Sequence, residues 1–289
     1  MSLISFSRDK FIPSSEVNLT VRGNYLSITR GYQVFTFFKT VDNGTPVFLE
    51  DHLDRITSNA KSMGMNVPFT KNDLRSLVYQ TLEKNDFKDI DCNIMIIFAG
   101  KAPDDISGLV SSQEIDLFIV TSPIKKYPED SYKNGITLGL FEFSRDDAKI
   151  KTPYTYYWGM KAHRELVHNG QFDEVLYTSN NEILEGTTFS FFIVVDGVVK
   201  TSKSDGRILE SVTRKNLLRI MNEQNVNHTV SLIELDDLNR SSEAFIASAN
   251  RDLIPVVSID GNQVGNGKIG PVYQQLMDMY SKEIYSKNK

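Results

Sequence analysis

The stretch Val34-Phe35-Thr36-Phe37-Phe38-Lys39-Thr40 runs to Asn43-Gly44 and then to Thr45-Pro46-Val47-Phe48-Leu49, and it shows how the fold is built. Its first part has the β-branched and aromatic make-up of a strand, and Asn43-Gly44 is a strong hairpin turn. The period then changes. Leu49, Leu53, Ile56, Ala60 and Met63 recur at three and four residues, which puts them on one face of a helix. His52, Arg55 and Asn59 form a polar stripe beside that face.

Working outward, Val17-Asn18-Leu19-Thr20-Val21 and Tyr25-Leu26-Ser27-Ile28-Thr29 alternate and are expected to be strands. Thr70-Lys71-Asn72-Asp73 resembles a capping box and predicts a second helix through Leu74, Leu77, Val78 and Leu82. Strands are expected at 94–98 and 115–120. The polar segment Ser122-Pro123-Ile124-Lys125-Lys126-Tyr127-Pro128-Glu129-Asp130 holds two prolines and reads as a linker. The expected division is a small N-terminal α/β domain over 1–121, a linker over 122–132 and a larger C-terminal domain over 133–289.

In that second part a strand is expected at 136–143 and a helix at 156–168 ending near Gly170. A strand at 174–177 meets a turn at Asn180-Asn181, and strands at 189–195 and 198–201 close on Asp196-Gly197. A helix at 213–222 and strands at 245–248 and 256–259 follow, the last strand ended by Asp260-Gly261. Val272, Leu276, Tyr280 and Ile284 set one face of a final helix. Strands and helices are mixed in both halves, so the fold class is α+β or α/β in two lobes, with mixed sheets and packed helices.

Composition narrows the functions. The chain has 289 residues, 40% hydrophobic and 24% charged, as in a soluble globular protein. A net charge of -5 without a basic stripe argues against nucleic acid as a partner. The single cysteine, Cys92, excludes an internal disulfide, and its apolar run predicts a buried structural thiol. The four histidines show no ligand spacing, so no metal site is expected. The first ten residues lack a signal-peptide pattern, and no apolar run approaches the roughly 20 residues of a bilayer span. No membrane partner is expected, and the cytoplasm is the default location.

Five further stretches stand out: His52-Leu53-Asp54-Arg55, Lys149-Ile150-Lys151-Thr152-Pro153-Tyr154-Thr155-Tyr156-Tyr157, Glu185-Gly186-Thr187-Thr188, Leu209-Glu210-Ser211-Val212-Thr213-Arg214 and Gly265-Asn266-Gly267-Lys268-Ile269-Gly270-Pro271-Val272. Each alone has an ordinary explanation: a loop lysine, a surface arginine, a turn carboxylate, a core tyrosine. In this order and spacing they resemble the fold-type IV pyridoxal phosphate enzymes, from about residue 30 to residue 280. That family includes branched-chain aminotransferases, D-amino-acid aminotransferases and 4-amino-4-deoxychorismate lyase.

The resemblance implies a cofactor, pyridoxal 5'-phosphate, held chiefly by the C-terminal domain. Lys151, rather than nearby Lys149, fits the family register; it would form the Schiff base and move the proton. Glu185 would pair with the pyridine nitrogen and keep the ring an electron sink. Arg55 would bind phosphate, with N–H groups of Val212 and Thr213 at a helix start. Ser248, Ala249 and Asn250 would complete that cup, and Tyr156 would reach the phenolic oxygen. Phe35 would line the substrate pocket. Arg30 would anchor the substrate carboxylate, where branched-chain members often place tyrosine.

The sequence departs from the family pattern at Thr36, where glutamate is common, at Ser190 for asparagine and at Ser211 for glycine. No arginine lies in Ile94-Met95-Ile96-Ile97-Phe98-Ala99, and Gly100-Lys101-Ala102-Pro103-Asp104-Asp105 lacks the arginine- and glycine-rich pattern associated with the lyase. These departures count against the lyase and against a D-amino-acid enzyme of the usual kind. The expectation is a homodimeric aminotransferase acting on an L-amino acid, apolar and branched-chain-like, and a 2-oxo acid. The alternatives are a lyase, a D-amino-acid aminotransferase and a cofactor-binding scaffold without turnover.

Overall fold

A computed structural model describes residues 3–85, 91–103 and 112–285. It has two compact units, Met1–Lys125 with Ile150–Tyr154, and Lys126–Lys149 with Thr155–Lys289. The segment carrying Lys151 therefore sits with the first unit, although the linear division left it within 133–289. Hydrogen bonds account for this. The Lys151 N–H donates to Asn59 Oδ1 (2.8 Å), and its carbonyl accepts from the Phe35 N–H (3.0 Å).

The first unit contains strands β1 (Ile4–Ser7), β2 (Lys10–Pro13), β3 (Gln33–Val41), β4 (Thr45–Pro46), β5 (Cys92–Gly100) and β6 (Ile115–Pro123). They form one antiparallel sheet in the order β2-β1-β6-β5-β3-β4. Its helices are α1 (Tyr25–Arg30), α2 (Leu49–Ser62) and α3 (Lys71–Glu83). Asp42, Asn43 and Gly44 turn the chain between β3 and β4 at φ of 47°, 67° and 94°. Leu49, Leu53, Ile56 and Ala60 of α2 are buried in the same cluster as Phe38, Val78, Ile94 and Ile96. Full burial of Leu53 or Ile56 contributes about 1.5–3 kcal/mol each. The α3 capping box forms: Thr70 Oγ1 accepts from the Asp73 N–H (3.2 Å) and Asp73 Oδ2 from the Thr70 N–H (2.8 Å).

Two expected strands are absent. Residues 17–21 form no strand, and Val21 is 65% exposed, so no sheet covers it. The alternating run after Gly23-Asn24 is the helix α1. Asn24, just before it, is pinned by Arg8 Nη2 (3.2 Å) and donates to Asp116 (2.9 Å), and Gly31 ends the helix at φ 66° with its N–H on the Leu26 carbonyl. These long-range partners override the local pattern.

The second unit contains α4 (Glu129–Asn134), β7 (Ile136–Glu142), α5 (Tyr156–Ala162), β8 (Glu174–Ser179), β9 (Glu182–Gly186), β10 (Ser190–Val195) and β11 (Val198–Thr201). Then come α6 (Val212–Glu223), β12 (His228–Val230), β13 (Ile233–Glu234), α7 (Leu235–Arg240), β14 (Ser241–Ser248), β15 (Asp252–Ile259), β16 (Asn262–Gln263) and α8 (Pro271–Tyr285). The sheet order is β12-β11-β10-β14-β15-β7-β8-β9-β13, with β16 on β15. The pairs β15–β7, β7–β8 and β11–β12 are parallel. The sheet is thus mixed and the class is α+β. Every residue of β10 is buried, as are all but one of β14, and α6 and α8 pack on β14. Helix α5 passes into a π turn over His163–Val167, and Gly170 follows at φ 72°.

Candidate active site

In the first unit, β3, α2 and the segment Ile150–Tyr154 bring together Phe35, Arg55 and Lys151. The Lys151 Nζ lies 4.8 Å from the centre of the Phe35 ring. Arg55 Nη2 donates to Thr36 Oγ1 (2.8 Å), and that hydroxyl is 2.7 Å from His52 Nδ1. A guanidinium can only donate, so Thr36 Oγ1 is the acceptor of the Arg55 bond and its hydroxyl links Arg55 to the buried imidazole. Burial first, then Arg55 and Lys151, push the His52 pKa well below its ordinary value. His52 is therefore a neutral imidazole at pH 7. The stripe His52, Arg55 and Asn59 faces inward, with His52 and Asn59 buried.

Arg30 stands apart from this group. It ends α1, exposed, with Nη1 on the Thr29 carbonyl and its guanidinium 5.6 Å from the Tyr25 ring centre. Its neighbour Gly31 accepts from Thr152 Oγ1 (3.4 Å), the residue after Lys151. Of the loop beginning at Gly100, Asp104 and Asp105 lie outside the described residues.

In the second unit Glu185 is buried near the end of β9. Its Oε2 accepts from the Leu209 N–H (3.1 Å), and its Oε1 lies 3.7 Å from Arg145 Nη1. Arg145 is buried too; its Nη2 donates to the carbonyls of Gly186 (3.1 Å) and Thr187 (2.6 Å). The guanidinium centre is 5.5 Å from each of the Tyr156 and Tyr177 ring centres. Burial pulls the Arg145 pKa down, but Glu185, Tyr156 and Tyr177 outweigh it and hold the pKa above its ordinary value. Arg145 thus joins Tyr156 to Glu185. Gly186 must be glycine, because an added Cβ would meet the Phe189 ring at 2.0 Å.

Val212 and Thr213 open α6, whose N-cap Ser211 accepts from the Arg214 N–H (3.3 Å) through Oγ. The N–H groups of Val212 and Thr213 are first-turn donors with no intrahelical acceptor. Ser248 ends β14 and lies 3.2 Å, Oγ to Oδ1, from Asn250, with Ala249 between them. Sequence reasoning assigned no role to Arg145, Thr36 or His52. Arg145 carries no local signal beyond lying six residues before Lys151, whereas His52 stands in the polar stripe with Arg55 and Thr36 marks a departure from the family pattern.

Relatives and solved structures match nearly the full chain, among them the following three. A D-alanine aminotransferase of Bacillus licheniformis is 26% identical, over 89% of this chain and 90% of its own. A branched-chain-amino-acid aminotransferase of Pseudomonas aeruginosa is 23% identical, over 90% and 86%. The crystal structure of Escherichia coli branched-chain amino acid aminotransferase superposes with a TM-score of 0.90, covering 100% of this chain and 97% of that one. At 19% identity, that likeness speaks to the fold. The family described as amino-transferase class IV matches residues 33–259, and the chain belongs to it. It is an aminotransferase, and its cofactor is pyridoxal 5'-phosphate.

Each unit by itself carries groups of the kind that cofactor needs. The second unit offers a buried carboxylate anchored by a backbone N–H and a helix start with first-turn N–H donors. The first offers a primary amine and an arginine fixed by hydrogen bonds.

Proposed function

We propose that this aminotransferase moves the amino group between an apolar, branched-chain-like L-amino acid and a 2-oxo acid. The observation that carries the apolar preference is the Phe35 ring beside the Lys151 amine, at 4.8 Å. An aromatic face at the reacting nitrogen favours an aliphatic side chain over a charged one.

Pyridoxal phosphate, when bound, supplies a ring that stabilises negative charge at the amino acid Cα. Lys151 is the base that takes the Cα proton and, as its ammonium, the acid that returns it. Glu185, oriented by Leu209 and Arg145, would pair with the ring nitrogen and keep it protonated. Arg55, the Val212 and Thr213 N–H groups, and Ser248, Ala249 and Asn250 hold the phosphate. Tyr156 donates to the phenolic oxygen, and Arg30 takes the substrate carboxylate. The working form is a cytoplasmic homodimer. Tyr157 and Met160 on α5 are 61% and 62% exposed, an apolar surface suited to a second copy.

Mixing the holoenzyme with leucine, glutamate or D-alanine tests the reading by the cofactor's absorption. Bleaching of the visible band by leucine supports it. Bleaching by D-alanine alone would mark a D-amino-acid enzyme, and no response to any L-amino acid would overturn the proposal. Arg30→Ala should raise the KM for the amino acid; an unchanged KM removes Arg30 from the substrate site.

A further inference from the structure

Glu174, the first residue of β8, is buried where three segments of the second unit meet. Its Oε1 accepts from Arg251 Nη1, and its Oε2 accepts from His163 Nε2 at 3.1 Å. Burial works to raise its pKa, but His163 and Arg251 hold it below the usual carboxylate value. Arg251 is buried as well. Its Nη2 donates to Thr188 Oγ1 (2.5 Å), and its guanidinium lies 5.2 and 5.8 Å from the Tyr127 and Phe189 ring centres. The Arg251 carbonyl accepts from the Tyr132 hydroxyl (3.0 Å).

The positions of these partners matter. His163 opens the π turn of the helix that begins at Tyr156. Thr188 lies three residues after Glu185, and Arg251 directly follows Asn250 in the loop between β14 and β15. The chain thus fastens three separate stretches, each with candidate cofactor residues, to one ion pair: His163 to Glu174, and Thr188 to Arg251, itself in the third stretch. A buried ion pair is weak evidence for stability in itself, and its best-attested use is to fix one arrangement among several.

We propose that Glu174 and Arg251 are positioning residues for the cofactor: their ion pair sets the spacing of the Tyr156 helix, the turn after Glu185 and the loop of Ser248, Ala249 and Asn250. This deepens the functional reading above and rests on it. Neither side chain has a chemical part in amino transfer. Each acts through the groups it holds, and small displacements of such groups are costly.

The test is titration of the apo-protein with pyridoxal 5'-phosphate, followed by quenching of the single tryptophan, Trp158 in α5. Glu174→Gln and Arg251→Met should each weaken binding by about tenfold or more, the scale of one lost charge-assisted hydrogen bond. The double variant should lose no more than the worse single one, because the two residues act as a unit. Arg251→Lys should recover part of the affinity. Thr188 is exposed, so Thr188→Val leaves the core intact and should still weaken binding measurably, even if the buried variants fail to fold. Folded variants that bind within twofold of wild type, whatever their melting temperature, would overturn the proposal. A wild-type protein that binds no pyridoxal phosphate would instead overturn the functional reading, and this inference with it.

Discussion

Thr36 Oγ1 accepts a hydrogen bond from Arg55 Nη2 at 2.8 Å and pairs with His52 Nδ1 at 2.7 Å. Thr36→Val removes both bonds at once. The buried imidazole nitrogen is left unsatisfied, at a cost of about 1–3 kcal/mol, and Arg55 loses a restraint. Denaturant unfolding should register the first effect, and a weaker affinity of the apo-protein for pyridoxal phosphate the second. Thr36→Ser keeps the hydroxyl and should restore most of both.

His52 makes stability depend on pH. Its folded pKa lies well below 6.5, the ordinary value that the unfolded chain regains. Above pH 6.5 the imidazole is neutral in both states and contributes no slope. Below it the unfolded chain takes up a proton that the folded chain refuses, so stability falls as pH drops, by up to about 1.4 kcal/mol per pH unit. Melting curves from pH 7 to pH 5 should show this loss. His52→Asn, which keeps a hydrogen-bonding partner for Thr36 but does not titrate, should flatten it.

Arg145→Met should be more damaging than its place in a polar stretch suggests. It removes the cation beside Glu185 and the donor to two buried carbonyls. The expected loss is about 3–5 kcal/mol in chemical denaturation. Arg145→Lys keeps the charge but not the fork geometry, and should recover only part of it.

Lys151→Ala should lower turnover by at least about 10²–10⁴-fold, the usual contribution of a positioned acid–base group. Mass spectrometry after borohydride reduction should find the cofactor on the peptide containing Lys151 in the wild type and on no lysine in the variant. Label on Lys149 would refute the assignment.

Burial pushes the Cys92 thiol up to about 12. The residue is fully enclosed in the first unit's core. Iodoacetamide at pH 8 should leave the native protein unlabelled and modify one site after unfolding.

Much of this architecture is readable in the chain, for identifiable reasons. Helix α2 announces itself through four apolar residues in register, and α3 through Thr70 and Asp73, because these signals are local. Asp196-Gly197 and Asp260-Gly261 turn where expected, with positive φ at all four residues. Helix α1 was not readable. Six residues carry too little periodicity, and Asn24 is set by Arg8 and Asp116 from elsewhere in the sequence. The site divides the same way. As candidates, Lys151, Arg55 and Glu185 can be picked out because their spacing resembles a family. Arg145, Glu174 and Arg251 become visible only once β7, β8 and the β14–β15 loop are folded, since nothing local distinguishes a buried charge from a solvated one.

The strand β7, residues Ile136–Glu142, lies between β8 and the far later β15. A ribosome would release β7 well before the residues of Asp252–Ile259 that flank it. Until then one edge of that strand stays open, and antiparallel β8–β9 and β10–β11 hairpins can form but the sheet cannot close. The nascent second unit thus depends on its last third for its middle, which makes that interval the one in which chaperones would be needed most.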